Sequence, residues 1–287
     1  MLPVIIDPEL CKADGLCVHV CPLSVLSVEE NGQTPTVHPK KTKYCINCGH
    51  CMSVCPAGAI TLSAFEGEQA VPFTQEELPS STKVETLIKT RRSTRRFKKT
   101  TLSANEIGEL IHTAAYAPSG HNAQPVSWTV LDSPEKVHEL GEVVAEWMEE
   151  MVKQKNPLAK KLFLPGLVNA WKKGNDVICR NAPAAAIAWA PKLGITPQAD
   201  TVIATNTLEL TAHAKGYGTC WAGYIVLAAA YSQKVLDYLE IPDNHMAHGA
   251  LFLGYQATKY RNIPARHKAA PEKIDGKFIF RARPNAH

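Results

Sequence analysis

No stretch of this 287-residue chain approaches the ~20 consecutive apolar residues that a membrane-spanning helix requires. The start MLPVIID has no basic segment leading into an apolar core, so no secretory leader is expected and the chain reads as cytoplasmic, with no membrane partner. G-x-G-x-x-G is missing too. Gly216 and Gly218 lack a third glycine at the required offset, which argues against a separate dinucleotide-binding domain of the Rossmann type. Aromatic residues make up only 7% of the chain, and few interleave the basic run Arg91-Arg92-Ser93-Thr94-Arg95-Arg96-Phe97-Lys98-Lys99. That run is read as a site for a small anion or a solvated face, and no nucleic-acid partner is expected. Cysteine is nearly absent after residue 55: Cys179 and Cys220 stand alone in apolar surroundings and are expected to be small buried side chains.

The other seven cysteines fall into two runs, Cys11-x5-Cys17-x3-Cys21-Pro22 and Cys45-x2-Cys48-x2-Cys51-x3-Cys55-Pro56. Each position of the first recurs 34 residues later, with Asp14 opposite Cys48. Such closely spaced thiolates, followed by proline, suit the corners of a cubane iron-sulfur cluster. A zinc ribbon needs its Cys pairs further apart, and zinc or disulfides remain the alternatives. In two-cluster ferredoxins the fourth Cys of each run crosses to the other cluster. On that pattern Cys21, Cys45, Cys48 and Cys51 take one 4Fe-4S cluster, and Cys11, Asp14, Cys17 and Cys55 take a second, 4Fe-4S or 3Fe-4S. A reducing compartment follows, because disulfide formation would remove the thiolates.

Charge divides along the same line. Residues 1–80 hold 4 Lys/Arg against 9 Asp/Glu, leaving 27 against 18 for the remainder. The expected organisation is a cluster domain at 1–62, a Pro-, Gly- and acid-containing linker at 63–82, and a larger domain at 83–287. In the last, Val84, Leu87 and Ile88 mark one helix, and Ser103 with Glu106 forms a capping box for another. Strands are predicted at 127–131, 184–190 and 250–253, with helices near 134–153 and 199–215, an α/β or α+β alternation.

Three segments of the larger domain carry chemistry suited to a flavin mononucleotide. Arg91 to Arg95 offers guanidinium forks and a hydroxyl to a phosphate. Residues 117–125, APSGHNAQP, form a turn rich in amides and hydroxyls. Residues 216–223, GYGTCWAG, are small enough for backbone N–H groups to approach a flat ring. Singly, each also reads as an ordinary cap, turn or packing site.

Together and in this order they resemble the FMN-dependent nitroreductase family, on RRSTRRF at 91–97, APSGHNAQP at 117–125, GTCWAG at 218–223 and the tail LGYQATKYRNIPAR ending at Arg266. The whole chain resembles the branch in which a two-cluster ferredoxin domain precedes the nitroreductase domain. The resemblance implies an α+β fold, a mainly antiparallel sheet wrapped by helices, with a small bacterial-ferredoxin-like domain. It also implies a homodimer with two FMN sites at the shared interface. Arg91, Ser93 and Arg266 would hold the phosphate, with Arg92 a looser match, and Arg95 would face the pyrimidine edge. Pro118, Ser119, Asn122 and Gln124 would reach the flavin across the interface, and Trp221, Ala222 and Gly223 would lie beside the ring. The implied activity is oxidoreduction: electrons from NAD(P)H or reduced ferredoxin pass through clusters and FMN to a small acceptor such as a nitroaromatic, quinone or enone, with no catalytic side chain required. The alternatives are a redox sensor or electron carrier without turnover, or other flavin-dependent reductive chemistry. Residues 145–175, with Trp147, Phe163, Leu164 and Trp171, are either a lid over the acceptor or ordinary core.

Overall fold

The 34-residue repeat is built into the backbone. In the computed structural model, which describes residues 2–30, 32–65, 67–266 and 270–281, left-handed residues recur in register: Ala13 with Asn47 (φ 53° and 50°), Gly15 with Gly49 (70° and 75°), Ser24 with Gly58 (49° and 62°). Each glycine opens a five-residue helix, α1 (Leu16–Val20) or α2 (His50–Val54). After each helix the last cysteine sulfur accepts a backbone N–H, Val25 to Cys21 at 3.2 Å and Ala59 to Cys55 at 3.4 Å. Two short antiparallel pairs close the unit, β1 (Val4–Ile6) with β4 (Ile60–Leu62) and β2 (Leu26–Ser27) with β3 (Thr36–Val37). Its core is small: Val4, Leu26, Ile60, Leu62 and Met52, completed by the ligand candidates Cys17 and Cys51. A core this size needs further stabilisation from ligation.

Short 3₁₀ turns at Ser63–Phe65 and Gln75–Glu77 punctuate the following stretch, the second held by a Thr74–Glu77 capping box. Helix α3 (Ser81–Thr90) forms as predicted, yet none of its residues is buried, and Val84 and Ile88 face outward. In α4 (Ala104–Ala114) the Ser103 and Glu106 groups cap one another reciprocally. Glu106 also accepts the Tyr217 and Tyr255 hydroxyls at 2.8 and 2.9 Å, and these bonds, led by the one from the Ser103 backbone N–H, hold its carboxyl down to about 2.

The main sheet is antiparallel throughout, in the order β5 (Ser127–Leu131), β6 (Ala184–Pro191), β8 (His245–Tyr255), β7 (Tyr217–Trp221). Strand alternation divides two cores between its faces. Ala185, Ile187, Ala250 and Phe252 meet α5 (Pro134–Lys153), α6 (Pro157–Lys161), α7 (Leu164–Lys172), α9 (Gly223–Tyr231) and α10 (Gln233–Tyr238). Ala184, Ala186, Leu251 and Leu253 meet α4 and α8 (Pro197–Ala214). Runs of alanine on β6 let helices close on both faces, and the α+β architecture is the one expected. A final hairpin, β9 (Ala270–Ile274) with β10 (Lys277–Arg281), follows.

Helix α8 buries Asp200, Thr201, Thr205 and Glu209 as well as Leu208 and Ala212. The threonines satisfy their hydroxyls on the carbonyl four residues back, Thr201 on Pro197 and Thr205 on Thr201. Among the residues proposed for a lid, Trp147 and Leu164 are core, and Trp171 stacks on His138 with ring centroids 5.1 Å apart. Only Phe163 of the four is exposed, at 78%, so ordinary packing accounts for most of this region. Cys179 and Cys220 are buried, as expected. No helix among the described residues is long and apolar enough to cross a membrane.

Candidate functional site

Around the first cavity of the small unit stand Cys21, Cys45, Cys48 and Cys51; around the second stand Cys11, Asp14, Cys17 and Cys55. These are the two ligand sets that crossing over the fourth cysteines groups together. All nine cysteines are free thiols. Among the described residues no three His, Cys, Asp or Glu side chains converge as they would on a single ion. Donors spread around a cavity fit a polynuclear cluster. Burial, the largest influence, pushes the Cys51 thiol up to about 11 and the Cys17 thiol up as well, so the charge of bound iron is what would hold them as thiolates. Asp14 accepts the Leu16 N–H at 3.1 Å from the position that Cys48 occupies in the other set.

In the larger unit, residues 91–97 run along the outer edge of β7. Thr94 donates its N–H to the Thr219 carbonyl at 2.7 Å, Ser93 bridges Thr219, and Phe97 bridges Gln256. This joins the first and third flavin segments. Glu209, unmarked in the sequence, organises the junction: buried on α8, it accepts from Arg91 Nη1 at 3.0 Å, Thr219 Oγ1 at 3.2 Å and Trp221 Nε1 at 2.9 Å. Arg91 is therefore held by a carboxylate, which fixes its guanidinium at the end of β7. Burial raises the Cys220 thiol, and the positive charges of Arg95, Arg180 and Arg91 oppose the rise. Arg180 was not foreseen either; it sits at φ 62° in a turn tied down by the Asp176 carboxylate, which accepts from the Ile178, Cys179 and Asn181 N–H groups. His213 shares a hydrogen bond of 2.9 Å with Thr90 Oγ1, and burial, with Arg91 beside it, depresses its pKa.

Small residues in the third segment do different work from one another. A Cβ at Gly218 would stand 2.7 Å from Thr94 Oγ1, so its smallness serves packing. At Gly223, exposed at the start of α9 next to buried Ala222 and exposed Trp221, a Cβ would meet nothing within 4 Å. Arg92 lies with Lys98, Lys259 and Arg261 along an open cleft that also takes in Thr90, His213 and Tyr260, whose hydroxyl donates to the Ser93 carbonyl at 3.5 Å, and exposed Arg266 donates to the neighbouring Ala265 carbonyl at 3.1 Å.

The second segment stands at the opposite end of α8. Gly120 donates its N–H to Asp200 Oδ1 at 3.0 Å, and a Cβ there would lie 2.3 Å from Thr196 Oγ1. Gln124 N–H bonds Ser119 Oγ at 3.0 Å, while Pro118 and Gln124 are exposed. Asn122 donates through its amide nitrogen to the Ile46 and Asn47 carbonyls of the cluster loop, at 3.0 Å each. Asp200 and Glu209 mark the two ends, nine residues or about 14 Å apart along the helix. One chain thus places the first and third segments toward one end of α8 and the second toward the other. Among the described residues the buried side-chain polar atoms without a partner are Thr94 Oγ1 and Asp200 Oδ2, one beside each group of segments. Such unpartnered atoms fit a polar ligand at those segments.

The profile of the nitroreductase family matches residues 88–255, more than half of the chain. The chain belongs to the nitroreductase family. A 4Fe-4S dicluster domain matches residues 9–60 ahead of it. The fold is that of a nitroreductase with bound FMN from Bacteroides fragilis, 22% identical, covering 63% of this chain and 95% of that one with a TM-score of 0.51. The cluster region is 33% identical over 76 residues to the Ferredoxin 7Fe of Hydrogenibacillus schlegelii, covering 26% of this chain and 91% of the ferredoxin. It is 36% identical over 58 residues to a ferredoxin of Pyrobaculum islandicum, covering 20% of this chain and 50% of that protein. A likeness to the probable oxidoreductase YjgC of Bacillus subtilis, 32% identical, covers 22% of this chain and 7% of that protein. By family and domain content the chain joins a 4Fe-4S dicluster region to a nitroreductase-family domain, and it spans about half or less of the length of two of these curated relatives.

Proposed function

We propose that the chain is a homodimeric iron-sulfur flavoprotein that passes electrons through two clusters and FMN to a small acceptor such as a nitroaromatic, quinone or enone. The observation carrying this reading is the junction of the first and third flavin segments, where the Arg91 guanidinium and the Trp221 indole share the buried Glu209 carboxylate and Thr94 is bonded to the Thr219 carbonyl on β7. In it, Arg91 and Ser93 hold the FMN phosphate, Arg95 faces the pyrimidine edge, and Ala222, Gly223 and Trp221 border the ring. Glu209 keeps Arg91 and Trp221 in place. Pro118, Ser119 and Gln124 serve the flavin of the other chain, which accords with segments at opposite ends of α8 and with outward-facing Val84, Ile88, Val202 and Ile203. When bound, FMN supplies the redox chemistry, exchanging hydrides or single electrons. The domains divide at residues 62 and 82, and the protein works in the cytoplasm, where thiolates persist.

Turnover separates an enzyme from a sensor. Under anaerobic conditions, with NAD(P)H or reduced ferredoxin in excess, a nitroaromatic, quinone or enone should be consumed in many equivalents per flavin. Consumption that stops at the electrons stored in one protein identifies a sensor or carrier instead.

We further propose that the cluster of Cys11, Asp14, Cys17 and Cys55 loses iron more readily than its neighbour. A carboxylate oxygen is a harder ligand than thiolate for this soft site, and the Asp14 oxygen already accepts a backbone N–H. Mild oxidation should give a 3Fe-4S electron paramagnetic resonance signal in the parent protein and not in Asp14→Cys. Equal resistance of both clusters in the parent contradicts this.

A further inference from the structure

Every polar group in the 119–124 loop that has a partner is accounted for within the larger unit except one, the Asn122 amide. It reaches across to the small unit and uses both hydrogens of Nδ2, one on the Ile46 carbonyl and one on the Asn47 carbonyl, each at 3.0 Å. Two carbonyl acceptors fix which end of the amide faces them. Both carbonyls lie between Cys45 and Cys48, inside the tightest part of the cluster motif. Asn47 sits at φ 50° and Asn122 at φ 53°, left-handed conformations that asparagine tolerates better than most residues. The Asn47 side chain turns back to its own loop, with Oδ1 at 3.7 Å from Cys45 Sγ. Loop 119–124 is in turn anchored to α8 through Gly120 and the buried Asp200. A continuous path of polar contacts therefore runs from the Cys45–Cys48 loop through Asn122 and Gly120 to Asp200 on α8.

The internal repeat sharpens this. The positions equivalent to Ile46 and Asn47 in the other ligand loop are Lys12 and Ala13. Ala13 has the same left-handed backbone, at φ 53°, but among the described residues its backbone N–H meets a side chain only at Cys11 Sγ, within its own loop. Of two loops alike in backbone, one is clamped to the flavin-facing loop and the other is not.

We propose that Asn122 is a positioning residue for electron transfer, clamping the Cys45–Cys48 loop so that the cluster of Cys21, Cys45, Cys48 and Cys51 is the one next to flavin, with the Asp14 cluster outside it. This rests on the reading that clusters and FMN work in series. It replaces the expectation that Asn122 itself touches the flavin. When bound, the clusters would supply one-electron transfer from a donor such as reduced ferredoxin, and two such electrons with two protons from solvent would reduce one FMN; Asn122 would hold the ligand loop of the inner cluster, Cys45 to Cys48, against the flavin-facing loop for that transfer.

Asn122→Asp tests the clamp in the assembled holoprotein, since it keeps the size and the left-handed tendency of asparagine and replaces the donor by an acceptor. The expected result is unchanged iron and FMN content, faster amide hydrogen exchange across residues 44–49, and flavin reduction by reduced ferredoxin slowed about tenfold or more, the scale on which small misplacement of reacting partners acts. Reduction by a hydride donor, where it occurs, should be unchanged. Loss of FMN with exchange at 44–49 unaltered would show that Asn122 is a flavin ligand and overturn the proposal. An unchanged ferredoxin-driven rate with faster exchange would overturn it too, leaving a structural contact. If reduced ferredoxin fails to reduce flavin even in the parent protein, the series reading itself fails, a result distinct from either of these.

Discussion

Removal of iron from the assembled protein is expected to unfold residues 2–62 while leaving the four-stranded sheet folded. Two of the seven buried side chains in the small core are the ligand candidates Cys17 and Cys51 themselves. Its two strand pairs are three and two residues long and its helices five residues each, far below the length at which helices persist unaided. The ligand bonds are then the cross-links of the unit, and metal-binding free energy becomes folding free energy. The larger unit has its own two cores with no contribution from the cluster cysteines. Hydrogen exchange after anaerobic chelation should show full exposure of amides 4–62 against continued protection in β6 and β8. Protection retained in both regions would mean that the small unit folds without its clusters.

The second large effect is expected at Glu209. In Glu209→Ala, the Arg91 guanidinium loses its carboxylate and the Thr219 hydroxyl and Trp221 Nε1–H lose their acceptor. Breaking a buried pair by removing one partner costs about 3–5 kcal/mol. Arg91, with its side chain 27% exposed, retains some water, so a loss of about 3 kcal/mol is expected, at the lower end of that range. Denaturant unfolding measures it. Bound FMN should weaken at the same time, since freed Arg91 no longer has a set direction. Glu209→Gln removes the charge and keeps one acceptor oxygen, enough for Thr219 or for Trp221 but not for both, since these bond different oxygens of Glu209, so it should be milder than Glu209→Ala on both counts without matching the parent. Equal stability of parent and Glu209→Ala would remove Glu209 from the organisation of the site.

Why Glu209 and Asp200 escaped notice in the sequence has a physical reason. Helix α8 buries threonines whose hydroxyls bond back along the helix, so its inward stripe does not look apolar and its carboxylates do not stand out from it. Local patterns were legible. The strand Ser127–Leu131 and the helix Pro134–Lys153 fall where alternation and periodicity put them, and the Ser103–Glu106 box caps α4 reciprocally. The repeat of cysteine spacing reappears as a repeat of backbone angles, because the same ligand geometry imposes the same turns. Strand β7 was harder: Gly, Thr and Cys carry weak strand signals, and it pairs on one side with β8 and is bridged on the other by Ser93. The Asn122 contact spans 75 and 76 residues and has no local signature at all.

Passage of single electrons from the clusters to flavin is tested most directly by anaerobic stopped-flow reduction of FMN in the holoprotein and in Cys48→Ala, each mixed in turn with reduced ferredoxin and with NADH or NADPH. Cys48 is a ligand candidate of the cluster clamped by Asn122, so its loss should slow ferredoxin-driven flavin reduction by about a hundredfold or more, as for other displacements of a reacting pair. Any hydride transfer from the nicotinamide should keep its rate. An unchanged ferredoxin-driven rate in a Cys48→Ala protein that is folded and retains FMN would contradict electron passage through this cluster.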